Sequence, residues 1–123
     1  MHTLLKSVTP RDTNYYGKLN GGVLSMWIDE SAWVFAKDRY SKLNFYTKKI
    51  EIEYMTCGDC GDIVEIRSEE GIVGTTSLTY EKIEAYNKTQ DRVIACAKVV
   101  MVCVDEDGNK NEIEGKVYET KNS

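Results

Sequence analysis

The chain has 123 residues and a formal net charge of −4, with acidic and basic residues interspersed along it. That length suffices for one domain, residues 1–123, with a real core and not for two, and the charge pattern offers no basic footprint for nucleic acid. No apolar run reaches the roughly 18 residues needed to cross a bilayer and no charged-then-apolar leader opens the chain, so a cytoplasmic location without a membrane partner is expected.

Residues 2–8, HTLLKSV, read as a short opening strand. Pro10 biases the residue before it toward an extended conformation and marks the exit into a loop. Asp12, Thr13, Asn14, Gly17, Asn20, Gly21 and Gly22 are turn formers, and a long loop inside a compact domain is often functional. Asn20 is placed to cap the helix that follows. Gly21 and Gly22 leave the first helical amides uncovered, where free N–H groups and the helix dipole favour an anion or a developing oxyanion. The plainer reading of the glycine pair is a tight entry against neighbouring backbone.

From Val23 to Ala36 apolar residues occupy nearly every side of a 3.6-residue wheel, the pattern of a buried helix. Asp29 lies in the middle of it. A carboxylate there loses hydration and is paired, protonated or poised to take a proton. Alternatively, Asp29 and Glu30 form a narrow solvated stripe with Lys37.

Residues 38–44 read as a turn. Residues 46–55 alternate as a strand, with Lys48, Ile50, Ile52 and Tyr54 facing one way and Lys49, Glu51, Glu53 and Met55 the other. CGDCGD at 57–62 is a turn cluster, followed by a strand over 63–69 and a longer one over 72–86, with Gly71 as a turn and Gly74 as a bulge. A turn over 87–91 leads into 93–104, apolar enough for a central strand buried on both faces. DEDGN at 105–109 closes it, and the remaining tail is polar, its end expected to be disordered.

Cys57 and Cys60 form a C-x-x-C, half of a zinc site or a redox pair, but a tetrahedral site needs two further ligands. Cys96 and Cys103 are an odd number of positions apart and on a strand point to opposite faces. His2, the single histidine, sits at a frayed end. Free thiols and no metal are the expectation.

One strand, one long helix and then consecutive strands joined by short turns predict an α+β fold, an antiparallel sheet wrapped around one long central helix. A helix apolar on nearly all sides needs cover beyond its own sheet, which dimerisation supplies.

This order, with P-x-D-T-N-x-x-G-x-x-N-G-G from Pro10 to Gly22 and W-I-D-E-S-A from Trp27 to Ala32, resembles the hotdog-fold acyl-CoA thioesterases, in the branch of the bacterial broad-range hydrolases and the cytosolic hydrolase of brain. The strings at 61–64 (GDIV), 73–79 (VGTTSLT) and 102–109 (VCVDEDGN) extend the likeness. The resemblance implies hydrolysis of acyl-CoA to a free acid and coenzyme A, with no cofactor beyond the coenzyme A of the substrate. It puts the family's helix carboxylate at Asp29, as general base or nucleophile, and its loop asparagine at Asn14, from different protomers of a homodimer that assembles further into a hexamer. The amides of Gly21 or Gly22 are then the oxyanion donors. Asn20, Trp27, Thr75, Thr76 and Ser77 become substrate-binding candidates, with Arg67, Lys82 and Lys98 available for phosphates. Two departures stand out: Asn20 replaces a histidine found in many relatives, and Cys57 replaces a usual proline. The rival readings are a non-catalytic acyl-CoA-sensing module and a 3-hydroxyacyl thioester dehydratase, for which His2 is badly placed.

Overall fold

The computed structural model describes residues 1–113. Strand β1 (His2–Ser7) and a single 3-10 turn (Pro10–Asp12) precede helix α1 (Gly21–Arg39). Strands β2 (Asn44–Tyr54), β3 (Ile63–Ser68), β4 (Ile72–Val73), β5 (Ser77–Asn87) and β6 (Arg92–Val104) follow. The strands form one antiparallel sheet in the order β1-β3-β5-β6-β2, with the short β4 attached to β5. This is the hotdog arrangement, with α1 packed along the concave face.

Helix α1 outruns the expected span at both ends. Asn20, in extended conformation, accepts from the N–H of Gly22 and Val23 and starts it; Lys37 and Arg39 complement the dipole in the last turn. Its inner face is Leu24, Trp27, Ile28, Ser31, Ala32, Phe35 and Ala36, packed on Val64, Ile66, Leu78, Ile83, Val99 and Met101. The sheet of the same chain covers only part of this helix, as its apolar residues on nearly all sides implied. Met26 is 51% and Trp33 47% exposed, and Val34 is also open, so in the single chain an apolar helix face remains uncovered.

Three strand expectations also change. The stretch 72–86 is not one strand: the chain reverses between β4 and β5, with the Gly74 N–H on the Ser77 carbonyl at 2.8 Å. Gly74 is therefore a turn residue rather than a bulge, and a Cβ there would lie 2.5 Å from Ser77 Oγ. The register shifts fall between Thr47 and Lys49 in β2 and, in β5, between Tyr80 and Ile83 and between Ala85 and Tyr86. Strand β6 is central, as expected, but its outer face is sealed only in part: Val102 is buried there, whereas Lys98 is exposed and Cys96 half-buried. Cys103 is buried on the inner face. The partly open outer face of β6 follows from packing the other sheet face on α1, which periodicity alone does not report.

His2 is not frayed. Its ring stacks on Phe35 at 4.9 Å and lies 2.6 Å from Glu70, on edge strand β1. Of the tail, Ile113 is fully buried, its N–H on the Thr75 carbonyl; the expected disordered end lies outside the described residues.

Candidate functional site

Asp29 stands at the boundary between the buried and open faces of α1. It is half-buried, and its Oδ1 accepts a hydrogen bond from the Thr47 hydroxyl of β2 at 2.5 Å. Of the alternative stripe, Glu30 is exposed, but Lys37 is engaged elsewhere: its Nζ donates to the carbonyls of Ser41 and Leu43. Thr47 had no signal in the sequence. It is one hydroxyl in a strand of alternating residues, and the bulge that follows it, invisible to a period-2 pattern, sets its register against Met101.

At the start of the helix, the Asn20 carboxamide takes the N–H of Gly22 at 2.7 Å and reaches that of Val23 at 3.4 Å, while the Leu24 N–H bonds the Asn20 carbonyl. The N–H of Gly21 has no partner among the described residues and is exposed. The oxyanion donor expected at this terminus therefore narrows from two glycines to Gly21. Tyr54 of β2 closes the corner, its hydroxyl donating to the Gly21 carbonyl at 3.0 Å.

Asn14 is exposed and organises its own loop. Its Oδ1 accepts from the N–H of Tyr16 at 2.9 Å and of Lys18 at 3.2 Å, which leaves the amide NH2 available as a donor. Gly17, at φ +78°, makes the reversal. The loop is tied to the CGDC turn: Lys18 Nζ meets Asp59 Oδ1 at 2.5 Å, and the Leu19 N–H bonds the Gly58 carbonyl. Behind Asp59, the buried Asp62 accepts from the Asp59 N–H, Asn87 and Gln90 at 2.7–2.8 Å. Burial pushes the Asp62 carboxyl up, but these three donors outweigh it and hold it below the ordinary value. The Lys18 ammonium, then the Gln90 amide, lower Asp59, and Asp59 in turn raises Lys18. The turn cluster thus serves as the mount of the Asn14 loop. Among the described residues no three His, Cys, Asp or Glu side chains gather as metal ligands.

Within one chain these groups do not converge. Eight residues separate Gly21 from Asp29, about 12 Å of helix, and no contact joins Asn14 to Asp29 among the described residues. Trp27 is only 5% exposed and belongs to the core, so it backs the helix instead of lining an open surface. Thr75 and Thr76 lie in the β4–β5 turn, and Ser77 shares a row with Val102 and Tyr46. Arg67, Lys82 and Lys98 are each paired with carboxylates, Arg67 with Glu65 and Glu84, Lys82 with Glu84, and Lys98 with Glu81. His2 sits at the opposite edge of the sheet from Thr47.

A family model described as the thioesterase superfamily matches residues 16–100. The chain belongs to that superfamily. Among solved structures, this superfamily member is similar to a hexameric broad-specificity acyl-coenzyme A thioesterase, solved as an aspartate-to-alanine variant: TM-score 0.83, 22% identity, 97% of this chain and 91% of that one. It is similar to a hexameric thioesterase from Yersinia pestis with a TM-score of 0.80 and 25% identity over 89% of this chain and 91% of the other. It also matches an acyl-CoA hydrolase from Staphylococcus aureus, solved with butyryl coenzyme A, coenzyme A and coenzyme A disulfide: TM-score 0.77, 22% identity, 89% of this chain. The chain spans 66% of the length of that hydrolase, which has also been solved with an aspartate, a threonine or an asparagine replaced by alanine. No curated protein matches the sequence.

Proposed function

We propose that two copies of this chain hydrolyse acyl-CoA thioesters at sites shared between them. The observation that carries this reading is the Asp29 carboxylate, fixed by the Thr47 hydroxyl on the helix face that the single chain leaves open. A second copy against that face covers Met26, Trp33 and Val34, whose exposure is unfavourable for the lone chain. It also solves the separation within one chain. A reacting carbonyl carbon needs base and oxyanion donor both within about 3–3.5 Å, which Asp29 and Gly21 of one helix do not offer. In this reading the Gly21 N–H and the Asn14 amide of the second copy supply what is missing.

Water held by Asn14 loses a proton to Asp29 as its oxygen attacks the thioester carbon. The oxyanion develops against the Gly21 N–H. When the tetrahedral intermediate collapses, the C–S bond breaks and the proton on Asp29 passes to the coenzyme A thiolate. The same carboxylate can instead attack directly and pass through an anhydride; both routes need it ionised and aimed. Two spacings support the assignment. The asparagine and aspartate altered in the S. aureus hydrolase are 15 residues apart, as are Asn14 and Asp29. Its altered threonine lies 17 residues past the aspartate, and Thr47 lies 18 past Asp29. Assembly into hexamers of such dimers and the cytoplasmic location belong to this same reading, as does a role for Thr75, Thr76 and Ser77 along the coenzyme A arm.

The test is complementation. Asn14→Ala and Asp29→Ala proteins, each nearly inactive, are mixed in equal amounts with mass-tagged subunits to follow exchange. Random re-pairing makes half the dimers mixed, each with one intact site of two, so about one quarter of wild-type CoA release returns. No recovery after proven exchange refutes the shared site.

A further inference from the structure

Tyr15 and Tyr16 are 96% and 80% exposed, their rings edge to face with centroids 5.5 Å apart. They do not sit on a loose loop. The two Asn14 Oδ1 bonds, the Asn14 N–H on the Lys18 carbonyl at 2.7 Å, and the anchors at Asp59 and Gly58 hold the segment from both ends. A folded chain that presents two aromatic rings to water on a braced turn is displaying them to a partner surface rather than using them for its own core.

Their destination follows from their place beside Asn14. Consecutive Cα atoms are about 3.8 Å apart, so when Asn14 reaches the second copy's Asp29, both rings arrive against the same stretch of that helix. The residues one turn either side of Asp29 on its face are Met26, three before, and Trp33, four after, both half-exposed and apolar. Four large side chains, two from each copy, then meet on one side of the thioester. The pantetheine side of the substrate carries amides that need hydrogen-bond partners; these four side chains themselves offer only two phenol hydroxyls, with the exposed Glu30 beside Met26 and Trp33 on the helix. This enclosure therefore suits the acyl side.

Resting on the shared site proposed above, we infer that Tyr15 and Tyr16 form the end wall of the acyl pocket and restrict this enzyme to short acyl groups. The wall is made by the chain that supplies Asn14 and closes over the chain that supplies Asp29, so acyl length is read across the interface. Removing the rings opens the pocket, and the gain rises with chain length because each methylene admitted contributes up to roughly fourfold in transition-state binding.

The experiment measures kcat/KM for acetyl-, butanoyl-, octanoyl- and palmitoyl-CoA by thiol release, for the wild type, the Tyr15→Ala/Tyr16→Ala double variant and Tyr16→Trp, with assembly size followed by light scattering. The wild type is expected to favour butanoyl over palmitoyl by at least about tenfold. The double variant is expected to raise the palmitoyl-to-butanoyl ratio by about tenfold or more, and Tyr16→Trp to lower the longest chain accepted. Tyr16→Trp keeps the inference open to test if the alanine pair fails to assemble. An unchanged ratio in an active enzyme overturns the wall, as does a KM that rises equally at every length, which would assign the rings to coenzyme A. An inactive wild type on all four substrates refutes the thioesterase reading itself, and the wall with it.

Discussion

Gly21→Pro removes one N–H from the candidate site and leaves nearly everything else in place. Gly21 is the first helical residue, where proline's fixed φ fits and its missing N–H breaks no intrahelical bond. Asn20 before it is already extended, at φ −68° and ψ 131°, as a residue preceding proline prefers. A Cβ at Gly21 meets only the Tyr54 ring at 3.7 Å, an ordinary contact, and the Gly21 carbonyl that Tyr54 grips is untouched. Because Gly22 and Val23 are already capped by Asn20, no structural hydrogen bond is lost. Stability should hold or rise by about 0.4–1 kcal/mol through the stiffer unfolded chain. Loss of a preorganised oxyanion donor costs about 2.7–4 kcal/mol of barrier, roughly 100- to 1,000-fold in kcat. The assay pairs steady-state thiol release with urea denaturation, and Gly21→Ala, which keeps the N–H, serves as the control. A proline variant that retains full kcat refutes Gly21 as the donor.

The Thr47 hydroxyl orients Asp29, so Thr47→Ala should lower kcat about 10- to 100-fold, the worth of a hydrogen bond to a charged group, with little change in KM; Thr47→Ser should recover most of it, and a serine variant as slow as alanine would show that the methyl, not the hydroxyl, matters. Asp62 holds the mount of the Asn14 loop with its carboxyl below the ordinary value of 3.8. Its contribution is present above pH 3.8 and fades as pH falls through the lowered folded value, where the unfolded chain already binds the proton. Asp62→Asn should cost about 1–3 kcal/mol near neutrality and flatten the loss of melting temperature below pH 3.8; an unaltered acid slope in the variant would remove Asp62 from that role.

Much of this architecture was legible along the chain because its signals are local. Asn20 caps the helix with the side chain its position promised, and turns at 57–62, 87–91 and 105–109 fall where their glycines, asparagines and aspartates stand. Local reading failed where a decision depends on what lies across the sheet. The chain 72–86 looked continuous because β-branched and hydroxyl residues run through it, and only the approach of Ser77 to Gly74 shows the reversal. Trp27 and Trp33 lie about 120° apart around a helix apolar on nearly all sides, and only the position of the sheet decides that the first is in the core and the second half in water.

The order of elements, the cap, and an acid set among apolar neighbours were determined by the sequence itself, since propensity, capping and periodicity act over a few residues. The tertiary structure alone decided that Thr47 meets Asp29 and that one side of the helix stays bare. Those outcomes depend on β2 crossing α1 and on a bulge that shifts its register, and such pairings between residues far apart in the chain leave no period for a sequence to carry.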